Sequence, residues 1–271
     1  MGDGLTHLRL EETPPVVRVT IDRVADRNSI NSDLMSELES AIERIERTEA
    51  RAVIFKGAGE THFIGGADGI EMMQLVPDKA RTFSHRIQAL FNRMEASPLI
   101  LVAAVSGLCF GGGFEFAMAC DLRVAETTAR IGLPEVKVGL IPGGGGTQRL
   151  PRLVGLGRAL EMILSGRLYR GDEAASLGLV HLAVEPGNLD EGAARLLAPI
   201  LRQPHYALAL AKQAVYASGS GSLEDGLGVE SERFSRCFEH DFFPDLMRRQ
   251  IEEGSLTTTA DPFSLKRREE P

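Results

Sequence analysis

Three segments of the chain combine residue types that could handle a carbonyl oxygen as it becomes anionic. In Val105-Ser106-Gly107-Leu108-Cys109-Phe110-Gly111-Gly112-Gly113-Phe114-Glu115, an apolar run ends at Gly107, three glycines follow, and an apolar helix starts with a carboxylate in its first turn. Glycines let a backbone N–H approach a ligand with no side chain between, at a helix end that already favours negative charge. An oxyanion hole needs such donors, and Glu115 stands close enough in sequence to act on the same ligand. Phe63-Ile64-Gly65-Gly66-Ala67-Asp68-Gly69-Ile70 is a second small-residue turn that could supply another N–H. Gly132-Leu133-Pro134-Glu135 offers a second carboxylate, which Pro134 is expected to hold on a loop outside any helix. Spacing alone also fits blander readings: a tight turn whose first-turn Glu suits the helix dipole, and a surface Glu135.

Other motif readings fail on their own terms. Gly57-Ala58-Gly59 would need a third glycine at position 62 to bind a dinucleotide, where His62 stands. Gly143 to Gly146 is followed by Thr147 with no lysine, so it is not a Walker-type loop. Ser106 is no nucleophile elbow, because Ala104 occupies the position a glycine would need. Three cysteines (Cys109, Cys120, Cys237) with no CxxC, and six scattered histidines, give no expected zinc site or disulfide framework.

The elements that must position these segments read as α/β. Val17, Val19 and Ile21 alternate with polar neighbours, a half-buried strand over 15–21. Leu34, Leu38, Ile42 and Ile45 form one stripe of a helix over 33–47. Residues 51–56 and 99–105 are continuous apolar strands, separated by a helical pattern over 79–95. That alternation predicts parallel strands with helical crossovers and both sheet faces covered. Strand signals end near 195; helices are expected over 205–217 and 222–240, and a loose polar tail from Gly254. The 271 residues suit one large α/β domain, with or without a helical appendage. A net charge of −8 with no basic tract argues against duplex nucleic acid as partner. The absence of a long apolar run or an amino-terminal signal region leads to an expectation of a cytoplasmic protein outside the membrane.

Taken in order, the segments resemble the crotonase (enoyl-CoA hydratase/isomerase) superfamily over residues 15 to about 185. Asp22-Arg23 through Asn28-Ser29-Ile30-Asn31 is similar to its first CoA-contacting loop, Phe63–Met72 to its first oxyanion loop and Val105–Asp121 to its second. Ala129 through Leu150 is similar to its second acid/base segment.

The resemblance implies a ββα spiral core over 1–195 and a helical region over 196–253 for oligomerisation and site cover; the residues themselves give a polar tail over 254–271, where the family's usual closing segment is replaced. It implies trimers or dimers of trimers. It also implies an acyl-CoA thioester held by the amides of Ala67 and Gly112, with Glu115 deprotonating water and Glu135 protonating the α-carbon. Ala25, Asp26, Arg27, Asn28, Gly65, Asp68, Gly69, Ile70, Gly111, Pro134 and Gly143 would contact the substrate or its CoA. Gly69 departs from the family's usual Ile or Leu, and Phe114 and Phe116 flank Glu115 with bulk. The implied reaction is hydration of a 2-enoyl-CoA with no metal or separate cofactor, CoA being part of the substrate. Isomerisation or C–C cleavage of an acyl-CoA is the alternative within the superfamily. A CoA- or RNA-binding relative without catalysis is a third possibility.

Overall fold

The computed structural model describes residues 5–219 and 221–253; the tail expected from Gly254 lies outside the described residues. The chain divides into two compact units, the first ending at His205 and the second starting at Tyr206.

The first unit opens with a hairpin of β1 (Leu8–Thr13) and β2 (Val16–Ile21), antiparallel to each other. Helix α1 (Ser32–Glu46), capped by the Asn31 side chain on the Leu34 amide, leads to β3 (Ala52–Gly57) and β4 (His62–Ile64). The one-turn α2 (Gly69–Met72) and the long α3 (Pro77–Ala96) follow. Next come β5 (Ile100–Val105), β6 (Leu108–Phe110), α4 (Gly112–Ala119), β7 (Leu122–Glu126) and β8 (Arg130–Gly132). Helices α5 (Gly146–Val154) and α6 (Leu156–Ser165), strand β9 (Tyr169–Arg170), α7 (Gly171–Ser176), β10 (Leu182–Val184) and α8 (Leu189–Leu201) complete the unit. The second unit carries α9 (His205–Ala217, entered from the last residue of the first unit), α10 (Leu223–Arg236) and α11 (Phe242–Glu252). The helix expected over 222–240 ends early, its last turn tightening into a 3-10 segment at Cys237–Glu239.

The strands build two sheets, one ordered β1-β2-β3-β5-β7-β10 and one ordered β4-β6-β8-β9. Each of β3, β5 and β7 runs into a short strand of the second sheet and then into helical chain. The ββα step thus occurs three times, moving one strand along both sheets each time. Within these steps β3, β5 and β7 pair in parallel, as do β4, β6 and β8.

All six residues of β5 are buried, as a parallel strand covered on both faces requires. Helix α1 buries Leu34, Met35, Leu38, Ala41, Ile42 and Ile45 on one side. Helix α4 differs: all eight of its residues are buried, so it is a central helix with no solvent face. Phe116 anchors it, packing edge-on against Phe55 and Phe91 with ring centroids 5.1 and 5.9 Å away. Phe116 therefore belongs to the core. No helix among the described residues is long and apolar enough to cross a membrane.

Candidate active site

The three chemistry-bearing segments occupy the same place in three successive ββα steps. Each follows the carboxyl end of a strand in the second sheet: β4 into Gly65–Asp68, β6 into Gly111–Gly112, β8 into Leu133–Glu135. Because β4, β6 and β8 are parallel neighbours, their following corners lie side by side, and the carboxyl edge of a parallel sheet is where such folds bind ligands.

The first two corners present free amides to one another. Ile30 donates its amide to Gly66 O and accepts from the Asp68 amide, both at 2.8 Å. Peptides in extended chain alternate in direction, so the Ala67 N–H between them faces away from Ile30. It faces Gly112, where a β-carbon would stand 3.2 Å from the Ala67 nitrogen. Gly112 opens α4, and the first amides of a helix have no partner within it. Among the described residues neither the Ala67 nor the Gly112 amide donates a hydrogen bond. Gly113 must be glycine, since a β-carbon there would lie 2.1 Å from Ile64 O. Gly111 turns the chain with φ 56°, and the Glu135 carboxylate lies across its α-carbon, 3.5 Å from where a β-carbon would stand.

The two carboxylates are held differently. Glu115 is 2% exposed, and its Oε1 accepts the amides of Gly144 at 2.8 Å and Gly146 at 2.7 Å. Burial pushes its pKa up, opposed by those amides and by the Arg149 charge. Glu135 has both carboxyl oxygens buried with no hydrogen-bond partner among the described residues. Burial raises it to about 7, with the charge of Glu115 adding to the shift and its own backbone amide opposing it. A buried carboxyl without a partner is uncommon in a folded chain. Glu135 was expected on a loop. It instead begins a single 3-10 turn, Glu135–Val138, with Pro134 as its amino cap: proline excludes the helical conformation before it but not after.

A family model described as Enoyl-CoA hydratase/isomerase matches residues 11–255. The chain belongs to that family. This enoyl-CoA hydratase/isomerase family member is 40% identical over 253 residues to a short-chain-enoyl-CoA hydratase of Clostridium acetobutylicum, covering 93% of this chain and 97% of the relative. It is 35% identical over 230 residues to a crotonyl-CoA hydratase of Syntrophomonas wolfei, covering 84% and 88%. Its fold matches the crystal structure of an enoyl-CoA hydratase from Bacillus anthracis with TM-score 0.84 and 33% identity, over 92% of this chain and 97% of that one.

In this family member the remaining expected residues form a rim and its supports. Ala25, Asp26 and Arg27 are exposed around a 3-10 turn, Val24–Asp26, which ends on Arg27 in the left-handed region. The Arg27 guanidinium has no ion-pair partner among the described residues. Asn28 is buried, and both its Nδ2 protons go to Ala58 O and His62 O at 2.9 Å, so it braces the corner. Gly65 donates to Arg27 O. Asp68 caps α2, accepting from the Ile70 and Glu71 amides, and pairs with Arg23 at 3.1 Å. Those bonds outweigh desolvation, which acts in the opposite sense as the largest single influence, and hold the Asp68 carboxyl below its usual value. Gly69 and Ile70 are exposed at the start of α2. Gly143 offers its carbonyl to Ser84 and Gln88 of α3. The hydrogen bonds that hold the 23–30 corner reach residues 58–68 but neither glutamate.

Sequence reasoning missed Gly144, Gly146 and Arg149. The glycine run had a readable signal: a buried carboxylate must find donors, and side-chain-free amides are such donors. β-Carbons at 144 and 146 would stand 2.7 and 2.9 Å from the Glu115 oxygens.

Proposed function

We propose that this chain hydrates a 2-enoyl-CoA thioester to the 3-hydroxyacyl-CoA. The observation that carries the reading is the meeting of two unpartnered amides, Ala67 and Gly112, beside two buried carboxylates whose surroundings differ.

The thioester oxygen accepts from both amides. Glu115, ionised with the help of its two amide donors and Arg149, takes a proton from water as the oxygen attacks C3. The π electrons move toward the carbonyl, and the enolate charge collects between the Ala67 and Gly112 N–H groups. Glu135, whose raised pKa keeps a substantial protonated fraction at neutral pH, delivers its proton to C2. Water is consumed whole, and one proton passes from Glu115 back to Glu135 through solvent to reset the site. The atoms balance with water alone, so the reading calls for no metal or separate cofactor. One oxyanion donor is worth ~10²–10³ in rate.

The CoA portion belongs against the exposed rim of Ala25, Asp26, Arg27, Gly69 and Ile70, with the unpaired Arg27 suited to its phosphates. Trimers, or dimers of trimers, agree with the exposed face of α6, where Leu156, Leu160 and Leu164 recur every fourth residue and want cover. Buried thiols at Cys109 and Cys120, outside any disulfide, fit a reducing cytoplasm.

The deciding experiment mixes the protein with crotonyl-CoA and follows the conjugated-thioester absorbance. A fall, with 3-hydroxybutyryl-CoA as product, is expected. No change across short, long, branched and aromatic enoyl-CoA thioesters would remove the proposal.

A further inference from the structure

The loop that grips Glu115 is itself gripped by Arg149. Its guanidinium, on the first turn of α5, spreads over three anchors: Nη1 to Gly144 O at 3.0 Å, Nε to Glu95 Oε1 at 2.5 Å and Nη2 to Asn92 Oδ1 at 2.7 Å. The Gly144 carbonyl lies between the two amides, Gly144 and Gly146, that donate to Glu115. Holding that carbonyl restrains the central peptide of the three, to which the two donating peptides are joined through the dihedrals of Gly144 and Gly145. Gly145 stands between with φ 110°, a conformation that favours glycine, and a β-carbon there would meet Nη1 at 2.2 Å and push the guanidinium off this position. Ser84 and Gln88 hold only the outer end of the loop, at Gly143 O.

We propose that Arg149 is a positioning residue for the base: by holding the Gly144 carbonyl it aims both amides at Glu115 Oε1 and leaves Oε2 for the attacking water. This rests on the hydration reading. The charged groups facing Glu115 are Arg149 from α5 and Glu135 from the one-turn helix, with Glu95 of α3 paired to the arginine.

The test compares Arg149→Met, Glu115→Gln and the double variant on crotonyl-CoA. Arg149→Met is expected to lower kcat by at least about tenfold, within the ~10²–10⁴ available to a positioned acid–base group, with KM held. The acid limb of its kcat–pH profile should move to higher pH. In the Glu115→Gln background the same change should cost almost nothing further, as expected for residues acting as a unit. Arg149→Lys, which keeps the charge but not the three-armed grip, should recover the acid limb more than kcat. If Arg149→Met does not fold, Glu95→Gln loosens the same guanidinium and should show a smaller loss that also vanishes in the Glu115→Gln background. Full additivity, or an unmoved acid limb, overturns the role of Arg149. A wild-type protein that hydrates nothing overturns the reaction instead. The arginine is then judged by the infrared carboxylate band lost in Glu115→Gln. Its titration midpoint should rise in Arg149→Met, and an unmoved midpoint refutes the proposal.

Discussion

A β-carbon on Gly112 would stand 3.2 Å from the Ala67 nitrogen, although the two residues are 45 positions apart on different corners. That closeness follows from topology. Strands β4 and β6 are adjacent and parallel, so the chain leaves both on the same edge, and Gly111 and Gly66 turn it with positive φ just before the two amides. Two donors brought together by sheet geometry need no reorganisation when charge develops between them, which is why such sites are effective.

Gly112→Ala tests this pair directly. The new methyl enters the space between the donors and presses on Ala67 at a distance tighter than ordinary van der Waals contact. Hydration should fall by about 10²-fold or more with far-ultraviolet circular dichroism unchanged. A kcat within about twofold of wild type would show that no reacting oxygen occupies the space the methyl fills, and so would remove the oxyanion role.

Gly146→Ala probes the other half of the site. Its β-carbon would lie 2.9 Å from Glu115 Oε1, from Leu133 Cδ1 and from Pro142 Cβ. None of these can retreat cheaply in a packed interior, so a cost of about 1–3 kcal/mol in stability is expected. Activity should fall with it because the carboxylate loses an amide donor or moves. Denaturant unfolding and steady-state rates on the same preparation check both effects.

The sequence made the second corner legible because an apolar strand, three glycines and a buried acid fall within the sixteen residues Ile100 to Glu115. Strand β2 was equally plain, since Val17, Val19 and Ile21 alternate and all are buried. Strand β1 gave little signal: only Leu8 of its six residues is buried, so this edge strand lacks the alternation that marks a half-buried one. Strands β4, β6 and β8 are three residues each, too short to show a period, yet they set the corners. The roles of Gly144 and Gly146 are invisible locally because their partner, Glu115, lies 29 and 31 residues away.

The Glu135 carboxyl gives stability a pH slope. Its folded value is raised to about 7 from an ordinary 4.5, chiefly by burial. Below 4.5 both states carry the proton and burial costs no charge. Between about 4.5 and 7 the unfolded chain releases its proton first, so stability falls as pH rises, and above 7 the penalty is complete. Glu135→Gln should therefore raise Tm more at pH 8 than at pH 4. An equal change in Tm at both values would show that the carboxyl is not desolvated in the folded protein.

The division of labour proposed for the two carboxylates rests on their surroundings and is separable by isotope. Glu115 has its Oε1 committed to two amides and a cation nearby, which suits an ionised base, whereas Glu135 has two buried oxygens without partners among the described residues, which suits a proton donor to carbon. Either Glu→Gln change should reduce hydration by about 10²–10⁴. A saturated thioester such as butyryl-CoA has no double bond to hydrate, so in D2O it reports only proton exchange at the α-carbon. That exchange needs the oxyanion amides and the group that handles the α-proton, and no attacking water. Glu115→Gln should keep most of it and Glu135→Gln should lose it, read by proton NMR of the α-methylene signal. The reverse pattern would exchange the two roles while leaving the amide pair in place. Loss in neither variant would mean that the α-proton is handled by a group other than these two glutamates.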